Sequence, residues 1–105
     1  MRTEVDFSIG QIIHHRLFDY RGVIFDVDAD FQGTEEWYEQ NAKTGSPPKD
    51  KPWYHVLIDD DSRVAYVAQR NLEVDASRDP VEHPLLERFF TRYEQGHYQS
   101  RQPLN

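Results

Sequence analysis

Cysteine is absent from the 105 residues of this chain. Thiolate catalysis, disulfide staples and sulfur-based zinc sites are thereby excluded, and the absence fits a reducing compartment. Positive charge is scarce: twelve Lys and Arg face nineteen Asp and Glu, for a formal net charge of -7. Such a field repels polyanions at long range, so contact with nucleic acid requires a local basic patch. Arg16, Arg21, Arg63 and Arg70, all near the ends of expected strands, are the candidates for one. Long apolar runs are missing as well. No stretch approaches the ~20 residues of a membrane span. The opening MRTEVDFSIGQ carries acids where a signal peptide needs an apolar run. The expectation is a soluble, cytoplasmic protein with no membrane partner.

What remains suits one domain over residues 1–105, since a chain this long buries roughly 60–70% of its unfolded surface. Gly10 to Phe18 reads as a first strand, with Ile13, His15 and Leu17 on one face. Asp19-Tyr20-Arg21-Gly22 reads as a tight connection in which the glycine supplies a positive φ. In the next strand, Val23, Phe25 and Val27 alternate with Asp26 and Asp28, which predicts one core face and one wet face. The pattern then dissolves into an insert, residues 29–51, expected to be flexible apart from a short helix over Thr34 to Gln40 that Thr34 would cap. Trp53 to Ile58, Val64 to Ala68 and Asn71 to Val74 are further strands by their aromatic and β-branched content.

The tail changes period. Leu85, Leu86, Phe89, Phe90 and Tyr93 follow helical spacing, with Pro84 at the start and Gly96 as the stop. A flexible end over residues 99–105 would follow. The order predicts a mainly β protein: a small, strongly bent antiparallel barrel with a long insert loop and a C-terminal α-helix packed over it.

Chemistry is thin. Asp26-x-Asp28-x-Asp30 resembles a calcium loop, but the positions that need glycine and glutamate hold Phe31 and Trp37. Asp59-Asp60-Asp61 reads as a hairpin turn, because adjacent carboxylates on a tight turn splay apart. Of the five histidines, His15 reads as a hydrogen-bonded interior residue. No nucleophile-elbow, zinc-helix or phosphate-loop motif occurs. Catalytic residues, metals and cofactors are therefore none, and enzyme activity is not expected. The aromatics, Trp37, Tyr38, Trp53, Tyr54 and Tyr66, are core and strand-pairing residues that could also stack a base or anchor a peptide where exposed.

Several ordered blocks carry a resemblance. FSIGQIIHHRLFDYRGVIFDVDADF, PWYHVLIDDD and YVAQRNLEVD together resemble the heat-shock protein Q family, also called the YccV-like or hemimethylated-DNA-binding domain family, from Phe7 to about Tyr98. The resemblance implies an SH3-like β-barrel and a non-enzymatic role of one of two kinds. One is protein quality control in the bacterial stress response, as a specificity factor or adaptor for an ATP-dependent protease such as Lon. The other is recognition of hemimethylated origin DNA. The chain departs from the family where Gln69 and Arg70 follow Tyr66-Val67-Ala68, and where His14 replaces a common arginine. The acidic balance favours the adaptor reading, with DNA as the alternative and homo-oligomerisation open. The expected binding surface comprises Tyr20, Arg21, Trp53, Tyr54, His55, Tyr66, Gln69, Arg70 and Asn71.

Overall fold

All five strands expected before the tail form, and each pairs with its neighbour in the sheet antiparallel. The computed structural model describes residues 4–42 and 45–101. β1 (Ile12–His15), β2 (Arg21–Asp28), β3 (Trp53–Ile58), β4 (Val64–Ala68) and β5 (Leu72–Val74) build one antiparallel sheet in the order β4-β3-β2-β1-β5. β4 and β5, at the two ends of that order, do not pair, so the sheet is open rather than a closed barrel.

The sheet buries both faces. Ile13, Ile24, Tyr54, Val56, Val67 and Leu72 form the core of one face. On the other, Ile12, Val23 and Leu57 pack against Val81, Phe90 and Tyr98 from the C-terminal segment. The expected alternation of β2 breaks at a bulge between Ile24 and Asp26. One extra residue there moves Val27 to the face opposite Phe25, where it joins the cluster of Ile24.

Two further differences have local causes. β1 ends at His15, because its ring Nδ1 accepts from the backbone N–H groups of Leu17 (3.1 Å) and Phe18 (3.0 Å) and turns the chain. Leu17 is therefore 60% exposed instead of sharing the face of Ile13. In the next connection Asp19, not Gly22, takes the positive φ, at 59°. Gly22 lies inside β2, where an added Cβ would stand 2.5 Å from Val56 Cγ1 and 2.6 Å from the Leu57 carbonyl oxygen. Its role is close strand approach.

The C-terminal helix is the largest correction. Only one helical turn forms, α2 (Leu86–Phe89), and a β-hairpin follows, β6 (Phe90–Glu94) and β7 (His97–Ser100). Gln95 and Gly96 have φ of 50° and 87°, the two left-handed central residues of a two-residue hairpin loop. Gly96 thus turns a hairpin rather than stopping a helix. Leu85, Phe89 and Tyr93 still cover the sheet, but from the turn before α2, from α2 and from β6.

The insert hangs on the sheet through named bonds. Thr34 Oγ1 accepts from Trp37 N at 3.0 Å and caps α1 (Glu35–Asn41), as expected. Tyr38 Oη donates to the Pro47 carbonyl (2.6 Å) and Trp53 Nε1 to the Pro48 carbonyl (3.1 Å). Tyr38, Trp53 and Ala68 form a third buried cluster with Phe31, Trp37 and Tyr66 at its margin. Of the expected tail, Gln99 and Ser100 lie in β7, and residues 102–105 fall outside the described residues.

Candidate nucleic-acid interface

Four arginines were candidates for a basic patch, and the fold separates them. Arg21 donates from Nη1 to Asp59 Oδ2 (2.8 Å) and from Nε to Asp75 Oδ2 (3.0 Å), with Nη2 on the Asp79 carbonyl. Asp59 in turn accepts from Glu82 N at 2.8 Å. Arg21 is therefore a structural clasp between the β3–β4 turn and the segment after β5. Arg63 is held by its near neighbour, Nη2 to Asp61 Oδ2 at 2.8 Å, which keeps the Asp61 carboxyl well below the usual carboxylate range. The triple aspartate is a turn, as expected, and its members diverge: Asp59 to Arg21, Asp61 to Arg63, while Asp60 takes φ 59°.

Arg16 and Arg70 are different. Arg16 N donates to the Asn71 carbonyl at 2.8 Å, which ties the end of β1 to the single 3₁₀ turn Gln69–Asn71 between β4 and β5. Arg16, Arg70 and Lys51 consequently line one groove of about 540 Å³. None of the three has a carboxylate partner among the described residues, although Arg70 Nη2 donates to the Gly45 carbonyl. Two acids share the groove, Glu4 and Asp6. Gln69 holds them there: its Oε1 accepts from Asp6 N (2.9 Å) and from Tyr54 Oη, and its Nε2 donates to the Glu4 carbonyl (3.2 Å). Lys51 was missed in the sequence because nothing local links it to Arg16, thirty-five positions away.

The other expected contact residues divide between interior and surface. Trp53 is 1% exposed and Tyr54 0%, so neither presents a ring to a partner. Their size explains it: each fills a face of β3, where an exposed aromatic would forfeit several kcal/mol of burial. His55 and Tyr66 are half-buried neighbours with rings 4.6 Å apart, and both contact Asp28 Oδ2: Tyr66 Oη donates at 2.7 Å, and His55 Nε2 lies 3.0 Å away. Burial, then the bond to Asp28, pushes the Tyr66 hydroxyl pKa up. Tyr20 is raised to about 12 by burial. The expected binding surface is thus divided: Trp53 and His55 lie on β3, whereas Arg70 lines the groove of Arg16.

Two histidines behave in opposite ways. His14 Nδ1 lies 2.7 Å from Glu73 Oε2 and its Nε2 2.7 Å from Asp19 Oδ1. Those two bonds raise its pKa above the ordinary 6.5. His15, buried as expected, is lowered by desolvation and by the neighbouring His14.

Fold and charge placement together define a small, open-sheet antiparallel β domain in an acidic chain, with one groove where three cations lack carboxylate partners among the described residues. Residues 5–97 match the family model described as hemimethylated DNA-binding protein YccV like, and the chain belongs to that family. It is also similar to F-box only protein 21 of Homo sapiens and of Pongo abelii, each 34% identical over 97 residues, and to that of Mus musculus at 33%. Those matches cover 90% of this chain but only 15% of each relative.

Proposed function

We propose that this domain binds duplex DNA along the Arg16–Lys51–Arg70 groove, with a hemimethylated site as its preferred form. The observation that carries the reading is the meeting of three cations without carboxylate partners in a chain of net charge -7. The family description points the same way, since it speaks of DNA and not of a protease. The protease-adaptor reading favoured by bulk charge accordingly gives way to its alternative. Bulk charge is the weaker guide because screening confines it to about 8–10 Å at physiological salt, whereas phosphate contacts are local.

The role is binding rather than catalysis. His15 spends Nδ1 on two backbone amides, and the Asp28 carboxylate near His55 also accepts from Tyr66. In both arrangements the bonds position side chains, and among the described residues no serine or threonine hydroxyl is bonded to either histidine ring at these atoms.

Three phosphate contacts give a log–log salt slope near −2.7 and about 40-fold weaker binding between 50 and 200 mM salt. Fluorescence anisotropy with matched unmethylated, hemimethylated and fully methylated duplexes tests both parts. Tighter binding to the hemimethylated duplex with that slope supports the proposal. Equal affinity for the three duplexes, or no binding at 100 mM salt, overturns it.

A further inference from the structure

β4 is an edge strand whose outer side has the chemistry of an unfinished sheet. Ile58 N donates to the Arg63 carbonyl (3.3 Å) and Gln69 N to the Pro52 carbonyl (3.0 Å), which fixes the hydrogen-bonding parity of β3 and β4. Ala65 and Val67 turn their main-chain groups to β3. Val64 and Tyr66 turn theirs outward, where they have no partner among the described residues. The usual guards of an edge are missing: Val64-Ala65-Tyr66-Val67-Ala68 holds no charge and no proline, and its register has no bulge.

This edge floors a groove of about 870 Å³ with two unlike walls. One wall carries Trp37 and Asn41 of α1 beside Tyr66; the other carries His15, Tyr20 and Asn71. At the mouth, Val64 is 50% exposed, Leu17 60% and Phe18 70%. The second wall holds donors without acceptors. His15 is 3% exposed, and because its Nδ1 accepts two backbone N–H groups, the neutral ring carries its proton on Nε2. No residue among those described accepts from that Nε2–H, from the Tyr20 hydroxyl or from the Asn71 carboxamide. Arg63, whose charge acts on Tyr20, uses Nε and Nη2 on Asp61 and keeps Nη1. The carboxylates of the groove, Asp59 and Asp61, are already paired to arginines.

We propose that the outer edge of β4 docks an extended peptide segment of a partner protein by strand addition, with a carboxylate or amide side chain of that segment seated against His15, Tyr20 and Arg63. Alternate residues of an added strand face opposite ways, so every second side chain meets the donor wall while those between meet Trp37 and Tyr66. The complementarity is to acceptors on one side and apolar groups on the other. Nucleic acid does not fit: it lacks the alternating N–H and C=O groups, and among the described residues the only cation lining the groove is Arg63. A second copy fits poorly too. Pairing β4 with itself about Tyr66 would set Val64 against Ala68, which is 3% exposed and packed with Trp53 and Tyr38. This site meets the basic groove at Ala68 but uses other side chains, so its fate is independent of the DNA reading.

The test is an amide-resolved NMR titration of the full chain with a synthetic hexapeptide alternating valine and aspartate. Controls are the same peptide with lysine for aspartate, and one N-methylated on alternate amides so that one edge cannot pair, in each of the two phases. The Val64 and Tyr66 amides should shift and become slow to exchange, with loss in at least one N-methylated phase and roughly tenfold weakening by lysine, the size of one lost charged contact. Val64→Pro removes only an outward N–H and leaves the β3 pairing intact, so it should fold, keep its core amide shifts and lose binding. Tyr20→Phe should weaken binding several-fold. Absence of shifts at millimolar peptide, indifference to N-methylation in both phases, or full binding by Val64→Pro would overturn the proposal. So would shifts of the same two amides on dilution of the protein alone, which mark a second copy, or on adding duplex DNA.

Discussion

Arg16 and Arg21 stand five positions apart, yet they live in different electrostatic worlds. Arg21 is a quarter or less exposed and is ringed by Asp59, Asp75 and the Asp79 carbonyl. Arg16 stands on the surface at the end of β1 and shares its groove with Arg70 and Lys51. The difference teaches that a basic residue near a strand end is no measure of basic surface. What counts is whether the fold has already supplied its counter-ion.

The sharpest way to break this comparison is to delete each arginine in turn. Arg21→Ala strands the buried Asp75 carboxylate, and urea denaturation should show a loss of about 3 kcal/mol. Arg16→Ala should change stability by no more than about 0.5 kcal/mol, as for other surface sites. Similar losses from both would mean that the two are not distinct. In Asp75, burial pushes the carboxyl up, but Ser77, Arg21 and the Arg78 amide outweigh it and hold the pKa below its usual value. Its share of stability is present above the unfolded carboxylate pKa and falls away as pH drops through the lowered folded one.

Binding gives the next largest effect. Arg16→Ala with Arg70→Ala should lower DNA affinity at low salt and cut the salt slope by about two, since each lost phosphate contact removes about one. An unchanged slope would show that the groove is not where the phosphates lie. Removing the acids that Gln69 holds in the groove, by Glu4→Gln with Asp6→Asn, should act in the opposite sense and raise affinity a few-fold in the same anisotropy assay. Unaltered or weaker binding would separate these acids from the groove's function.

The smallest effects belong to the two adjacent histidines. An NMR pH titration should find His14 above 6.5 and His15 below it. His14 stabilises the fold below its unfolded pKa and loses that contribution as pH rises through its raised folded value. His15 works the other way: its contribution is present above the unfolded pKa and lost as pH falls towards the lowered folded one. Asp19→Asn with Glu73→Gln should return His14 towards 6.5, and a His14 pKa that does not move would contradict the two bonds.

Trp53 to Ile58 and Val64 to Ala68 were legible as strands because both are rich in aromatic and β-branched residues and only a short aspartate turn separates them. The Thr34 cap was legible for the same reason, being a bond across three residues. Phe89 and Phe90 were not. Their spacing suits a helix and a hairpin equally well, and the Gln95–Gly96 turn, together with packing on Val23 and Leu57, decides for strands. The bulge that sends Val27 to the other face left no mark in the alternation of β2. Of the expected binding surface, Trp53 and Tyr54 were assigned outward because aromatic content speaks to strand propensity and not to which face a neighbour covers.

Residue order by itself determined the antiparallel strands, the aspartate turn, the capped helix and the acidic balance, since all of these depend on neighbours within a few positions. Only tertiary structure decided which arginines are left without a carboxylate partner, which aromatics reach water and which strand is left with an open edge. Those properties depend on residues thirty to sixty positions apart meeting in space, and a counter-ion or a covering side chain has no address in the local sequence.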